Sequence, residues 1–414
     1  MLLPNREVGY GDLVVENGHI AAIDARISDS QLGQRASRPL QSLIPPPHPS
    51  SLILPGLVNC HGHTAMTLVR GLGSGLPLQR WLEEAIFPAE AKMTPRDVYA
   101  GNVWGILEML AGGTTCVADM YDFPAEMERA LGEIGMKGFV NRVGLSIVPG
   151  RLEDCIRFAE EHPKSHLCVH SEYLTDESFC RGLAKANEAL RRPVHFHLSE
   201  TEREHRECIA RRGKTPTAYL AETGLFDHGG YAAHCVWCTD DDFRILAEKG
   251  VSLVHNPTSN MKLGSGFARI CRARELGVNV ALGTDGCASN DNLDMFEEMH
   301  IASLVHKGLA KDPTALDAWD VIEMATVNGA KAVGLENAGE LRVGASADLC
   351  VVDLDRLHLM PAFDIPNLVV NSMRASDVVL TMVGGRVLYE RGAFPTVDFA
   401  AAKRSFSEAC ERLS

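Results

Sequence analysis

With 414 residues, 45% hydrophobic and 23% charged, the chain can bury a large core, which excludes a disordered class. A net charge of −14 with no dense Lys/Arg run argues against nucleic-acid binding and for a small-molecule substrate. Met1 to Val8 carries no basic and apolar leader, and no stretch of about 18 apolar residues occurs, so we expect a cytoplasmic protein without a membrane span.

In chain order, residues 12–24 are two β-rich runs joined by Asn17-Gly18, a hairpin signal. Residues 27–50, rich in Ser, Pro and Gln, are expected to form an exposed loop. From residue 57 to about 285, short apolar runs alternate with helical patterns, the mark of a parallel sheet. Eight runs are countable: 57–61, 115–119, 139–143, 167–170, 194–198, 231–234, 251–255 and 278–285. Eight strands close a barrel. Residues 293–335 read as helices, and the runs at 347–353 and 378–389, the second with a Gly384-Gly385 turn, read as further strands. The expected fold is α/β: a (β/α)8 TIM-type barrel over residues 55–344, with a small composite β domain from residues 1–54 and 345–414.

A barrel of this kind carries its chemistry at the C-terminal ends of its strands. The runs end in His61 and His63, Asp119, Arg142, His170, His197, His234, His255 and Asp285. Polar residues at every end are hard to attribute to core packing. In an extended strand the i, i+2 spacing of His61 and His63 puts both imidazoles on one face, where they can grip one metal ion. Taken alone, the pair is as readily two satisfied core histidines. A mononuclear zinc or iron centre needs three or four N/O ligands, which His61, His63, His197 and Asp285 can supply. His195 shares its parity with His197, but His197 lies nearer the strand's C-terminal end; His195 reads as an interior residue behind it. Glu200, three residues past His197, is close enough to relay a proton for a metal-activated water. The 12 cysteines are scattered through apolar segments as reduced core thiols are, and the lone Cys235/Cys238 CxxC pair reads as structural.

The motifs Pro55-Gly-Leu-Val-Asn-Cys-His-Gly-His63, Val194-His-Phe-His-Leu-Ser-Glu-Thr201, Ala232-Ala-His-Cys235, Val254-His-Asn-Pro-Thr-Ser-Asn-Met-Lys-Leu-Gly264 and Leu282-Gly-Thr-Asp-Gly-Cys-Ala-Ser-Asn290 resemble the amidohydrolase superfamily. Within it they are most similar to the S-adenosylhomocysteine/5'-methylthioadenosine deaminases. The resemblance implies one divalent metal, most often Zn2+ with Fe2+ as the alternative, on His61, His63, His197 and Asp285. It implies that Glu200 shuttles protons, that His234 orients the attacking water, and that Asp285 also takes a proton from that water. It further implies that Trp81, Glu90 and His170 surround a nucleoside, that Arg142 and Arg151 engage a homocysteine carboxylate, that Ser289 lies near the purine, and that the enzyme is a homo-oligomer. Trp81 can equally be a core residue, and the two arginines structural ion-pair partners. The segment between Arg142 and Arg151 is shorter than in related deaminases, a change that shifts the expectation toward adenosine, 5'-deoxyadenosine or methylthioadenosine. The alternatives are a guanine, pterin or triazine deaminase or chlorohydrolase, and a barrel without catalysis; the latter would have lost ligands or the general acid.

Overall fold

A computed structural model describes residues 1–27 and 51–413; the expected loop at 27–50 lies almost wholly outside the described residues. Eight parallel strands form the centre: Leu57–Gly62 (β1), Thr114–Tyr121 (β2), Lys137–Arg142 (β3), Leu167–Val169 (β4), Val194–Leu198 (β5), Gly230–His234 (β6), Val251–His255 (β7) and Val280–Leu282 (β8). β1 to β3 pair in sequence, as do β4 to β8. Backbone hydrogen bonds help to close the two seams. His170 N donates to Gly144 O (3.0 Å) between the β3 and β4 ends, and Asp285 N donates to His61 O (3.0 Å) between the β8 and β1 ends. β4 to β8 are buried throughout, because helices such as Glu177–Leu190 and Asp240–Glu248 cover them.

Most strand bounds fall within two residues of the expected runs, and two strands depart most in where they end. β2 continues past Asp119 to Tyr121, and β8 stops three residues short of Asp285. Asn59 captures the chain there: its Oδ1 accepts from Thr284 N (3.0 Å) and its Nδ2 donates to Thr284 Oγ1 (2.7 Å). The backbone then turns left-handed at Asp285, at φ 63°.

Both termini contribute to the small β region. Glu7–Glu16 and His19–Ile27 form the hairpin, with Asn17 and Gly18 both at positive φ as a two-residue turn of this kind demands. Ser51–Pro55 joins Leu349–Asp353, Val378–Val383 and Arg386–Glu390 in a four-stranded antiparallel sheet. Ala347 N donates to Gly18 O (2.9 Å), tying the hairpin to the C-terminal half. A Cβ on Gly385 would stand 2.8 Å from Gly18 Cα, so the two turns meet only because both lack side chains. The last helix, Phe399–Leu413, stacks Phe406 on Trp104 of the helix Pro95–Ala111 at 4.8 Å between ring centroids. No helix among the described residues is long and apolar enough to cross a membrane. Cys235 and Cys238 are buried free thiols, as expected of a structural pair.

Candidate active site

His61 and His63 leave β1 on one side, as the i, i+2 spacing requires, and meet His197 from β5 and Asp285 from beyond β8. One ligand atom from each of the four lies within 4.8 Å of all the others. The hydrogen-bond pattern calls for a cation among them. His63 Nδ1 donates to Met120 O (2.6 Å) and His197 Nδ1 donates to His170 O (2.7 Å). In the neutral rings their Nε2 atoms are thereby left as acceptors, and these face each other at 3.3 Å. Two lone pairs at that distance repel unless a positive charge lies between them. His61 Nε2 is buried and makes no well-formed hydrogen bond, with only the Asp285 carboxylate 3.4 Å away, while its Nδ1 lies 2.8 Å from His195 Nε2. His195 is therefore a buried support behind the first ligand.

The electrostatics agree. Burial holds His61 down to about pKa 4 despite the nearby Asp285 carboxylate. Burial also opposes a charge on His63, but Asp285, 3.3 Å away, raises its pKa to about 9. Asp285 itself is penalised by burial, yet the two imidazoles keep it well below the usual carboxylate range. A site of this kind is built around an ionised carboxylate and one positive charge. Three imidazole nitrogens and a carboxylate oxygen fit a divalent metal ion, with room left for water.

Three of the four ligand residues, His63, His197 and Asp285, line a cavity of about 420 Å³, a size suited to a small molecule, and His61 is buried behind them. Glu200, His234, Trp81, Glu90 and His170 also line it. Burial raises the pKa of Glu200, and His234 Nε2 stands 3.9 Å from its carboxylate. Trp81 anchors its ring by donating Nε1–H to Leu72 O (2.9 Å). Burial raises the Glu90 carboxyl, with the Tyr121 hydroxyl beside it, and lowers His170 to about 3.

The amidohydrolase family model matches residues 52–388, more than three quarters of the chain. The chain belongs to the amidohydrolase family. It is 39% identical over 412 residues to a 5-methylthioadenosine/S-adenosylhomocysteine deaminase of Acetivibrio thermocellus, covering 97% of this chain and 94% of that protein. It is 41% identical over 418 residues to a 5'-deoxyadenosine deaminase of Methanosarcina barkeri, with the same coverage of both. In three dimensions it is similar to a zinc-bound adenosine deaminase from Xanthomonas campestris, with a TM-score of 0.86, 32% identity, and coverage of 97% of this chain and 93% of that one.

This amidohydrolase does not bring every expected residue to the cavity. Arg142 donates to Asp122 (2.9 Å) and Asp154 (2.7 Å), Arg151 donates to Asp122 (2.8 Å) and Val143 O (2.9 Å), and neither lines the cavity. Ser289 is buried and donates to Gly286 O (3.0 Å), also away from the lining. Of the other strand-end residues, Asp119 accepts from Thr64 N (2.6 Å), and His255 Nε2 pairs with His306 Nε2 at 3.1 Å. Those two ends hold structure together.

Four residues escaped sequence reading. Ser259 donates to Asp285 Oδ2 (2.6 Å), and Asn260 Oδ1 accepts from His234 Nδ1 (2.8 Å). Ser265 donates to Glu200 Oε1 (3.3 Å), while Glu204 accepts from the backbone N–H groups of Ser199 (2.9 Å) and Glu200 (2.8 Å). The motif after β7 contains Ser259 and Asn260, but only the turn of the short helix Pro257–Lys262 reveals that adjacent residues reach two different site groups. His234, Ser199 and Asp285 all hold positive φ, at 73°, 45° and 63°. Each such non-glycine residue costs about 1–3 kcal/mol, which the surrounding hydrogen bonds offset.

Proposed function

We propose that this amidohydrolase is a hydrolytic deaminase of adenosine derivatives, converting the adenine of 5'-methylthioadenosine, 5'-deoxyadenosine, S-adenosylhomocysteine or adenosine to hypoxanthine with release of ammonia. The reading rests on one observation: Glu200 and His234 share a cavity with the His61, His63, His197 and Asp285 cluster. The relatives that carry deaminase names are matched over nearly their whole length, which supports it.

The metal, which we take to be zinc, supplies the Lewis acidity that activates water at neutral pH. His234, held by Asn260, presents Nε2 to that water and orients it. Asp285 removes a proton as the water oxygen attacks the amino-bearing carbon of the ring. Glu200, which burial keeps protonated at higher pH than an exposed glutamate, donates its proton to the adjacent ring nitrogen. Asp285 then returns its proton to the amine, Glu200 recovers one from the new hydroxyl, and ammonia leaves from a ring that has become a carbonyl. Both carboxyl groups end as they began. Trp81, Glu90 and His170 enclose the nucleoside. We assign residues 55–344 to the catalytic barrel and expect the enzyme to act as a homo-oligomer.

The zinc-loaded protein should release ammonia from at least one of the four nucleosides, with a fall in absorbance near the adenine maximum. No ammonia from any of them would refute the assignment; ammonia from guanine or a triazine alone would move it to another ring.

A further inference from the structure

The cavity lining contains four carboxylates, Glu90, Asp122, Glu200 and Asp285, and no lysine or arginine. Its wall also carries exposed apolar side chains: Phe87, Phe123 and Ile147 all line it, at 41%, 39% and 71% exposure. An isoleucine that exposed is costly in water unless something apolar covers it. The guanidinium groups of Arg142 and Arg151, which hold the lining residue Asp122, both spend a hydrogen bond on its carboxylate, and Arg142 spends another on Asp154. Arg157 pairs with Asp154 as well, so three arginines meet two aspartates, yet the two guanidinium groups that hold Asp122 are each already committed to a carboxylate.

We infer that the far end of the cavity selects adenosine derivatives with a neutral, apolar 5'-substituent and discriminates against those whose substituent carries a carboxylate. The inference rests on the deaminase reading above. A substrate carboxylate would have to displace Asp122 from two arginines while lying beside apolar side chains, losing hydration that nothing in the lining replaces. A methyl or methylthio group instead covers Ile147, Phe123 and Phe87 and leaves the Asp122 pairs intact. Asp122 and Ile147 are thus specificity-determining residues, one by neutralising the arginines and the other by its apolar side chain.

The test compares kcat/KM for 5'-deoxyadenosine, 5'-methylthioadenosine and S-adenosylhomocysteine, using the metal-loaded full chain. Wild-type enzyme should favour the two neutral substrates by at least about tenfold, the worth of one charge-assisted hydrogen bond. Asp122→Ala, which frees a donor on each guanidinium while Arg142 keeps Asp154 and Arg151 keeps Val143 O, should shift the ratio at least about tenfold toward S-adenosylhomocysteine, mostly through KM. Ile147→Arg, a change at an exposed position that the fold tolerates even if Asp122→Ala fails to fold, should shift it the same way. Equal or faster turnover of S-adenosylhomocysteine by wild-type enzyme would overturn the inference while leaving the deaminase reading intact. An unchanged ratio in folded Ile147→Arg would overturn it too. Silence on all three substrates and on adenosine would instead remove the deaminase reading, and the inference with it.

Discussion

Removing the Ser259 hydroxyl tests whether the environment of Asp285 is built for metal binding and proton transfer. The Asp285 carboxylate divides its work: Oδ1 faces His61 and His63 at 3.4 and 3.3 Å, and Oδ2 accepts from Ser259 at 2.6 Å. Ser259 is fully buried, so no water stands ready to replace it. A hydrogen bond to an ionised group in such a place is worth about 1.5–3 kcal/mol, and its loss corresponds to roughly ten- to a hundredfold. Partners behind metal ligands show changes of the same size in metal affinity or activity. Ser259→Ala should therefore lower kcat/KM for deamination by about ten- to a hundredfold, or weaken zinc retention against a chelator by a similar factor. Because the lost bond favours the ionised form, the carboxyl becomes easier to protonate and the acidic limb of the pH–rate profile moves upward. Activity, zinc retention and acidic limb all matching wild type would refute the reasoning.

Glu200→Gln should reduce kcat by about 10²–10⁴-fold while zinc content stays at one per chain, whereas His197→Ala should lose the metal; equal metal loss in both would deny Glu200 a separate proton-transfer role. Asn260→Ala removes the acceptor from His234 Nδ1, so kcat should fall with little change in KM, and an unaltered kcat would show that the ring needs no such hold. Stability should fall on acidification. Burial holds His306 down to about pKa 4 and His255 well below its usual value, so under pH 6.5 the unfolded chain binds protons that the folded one refuses. The stability present above pH 6.5 is then lost as pH falls toward 4, at up to about 1.4 kcal/mol per pH unit for each ring. His306→Gln should flatten that slope in chemical denaturation, and an unchanged slope would assign the acid sensitivity to other groups.

Much of the centre is legible in the amino-acid sequence. Short apolar runs that alternate with helical patterns and end in polar residues identify barrel strands, because the barrel's geometry places the side chains that follow the C-terminal ends around one mouth. His61, His63, His197, Glu200, His234 and Asp285 follow from that rule together with the motifs, and the structure gathers all but the fully buried His61 on one cavity, with His61 against the other metal ligands. The rule does not say which strand-end residues point into the cavity. Arg142, Asp119 and His255 end apolar runs equally well, yet Asp122 with Asp154, Thr64 and His306 claim them, and those partners lie on other segments. The same holds for Ser259 and Asn260. What the sequence determined by itself was the periodicity, the motif spacing and the kind of chemistry. Which hydrogen bonds hold the ligands, and whether a guanidinium near the cavity is free or already paired, only the tertiary structure decided, because burial and long-range partners set both.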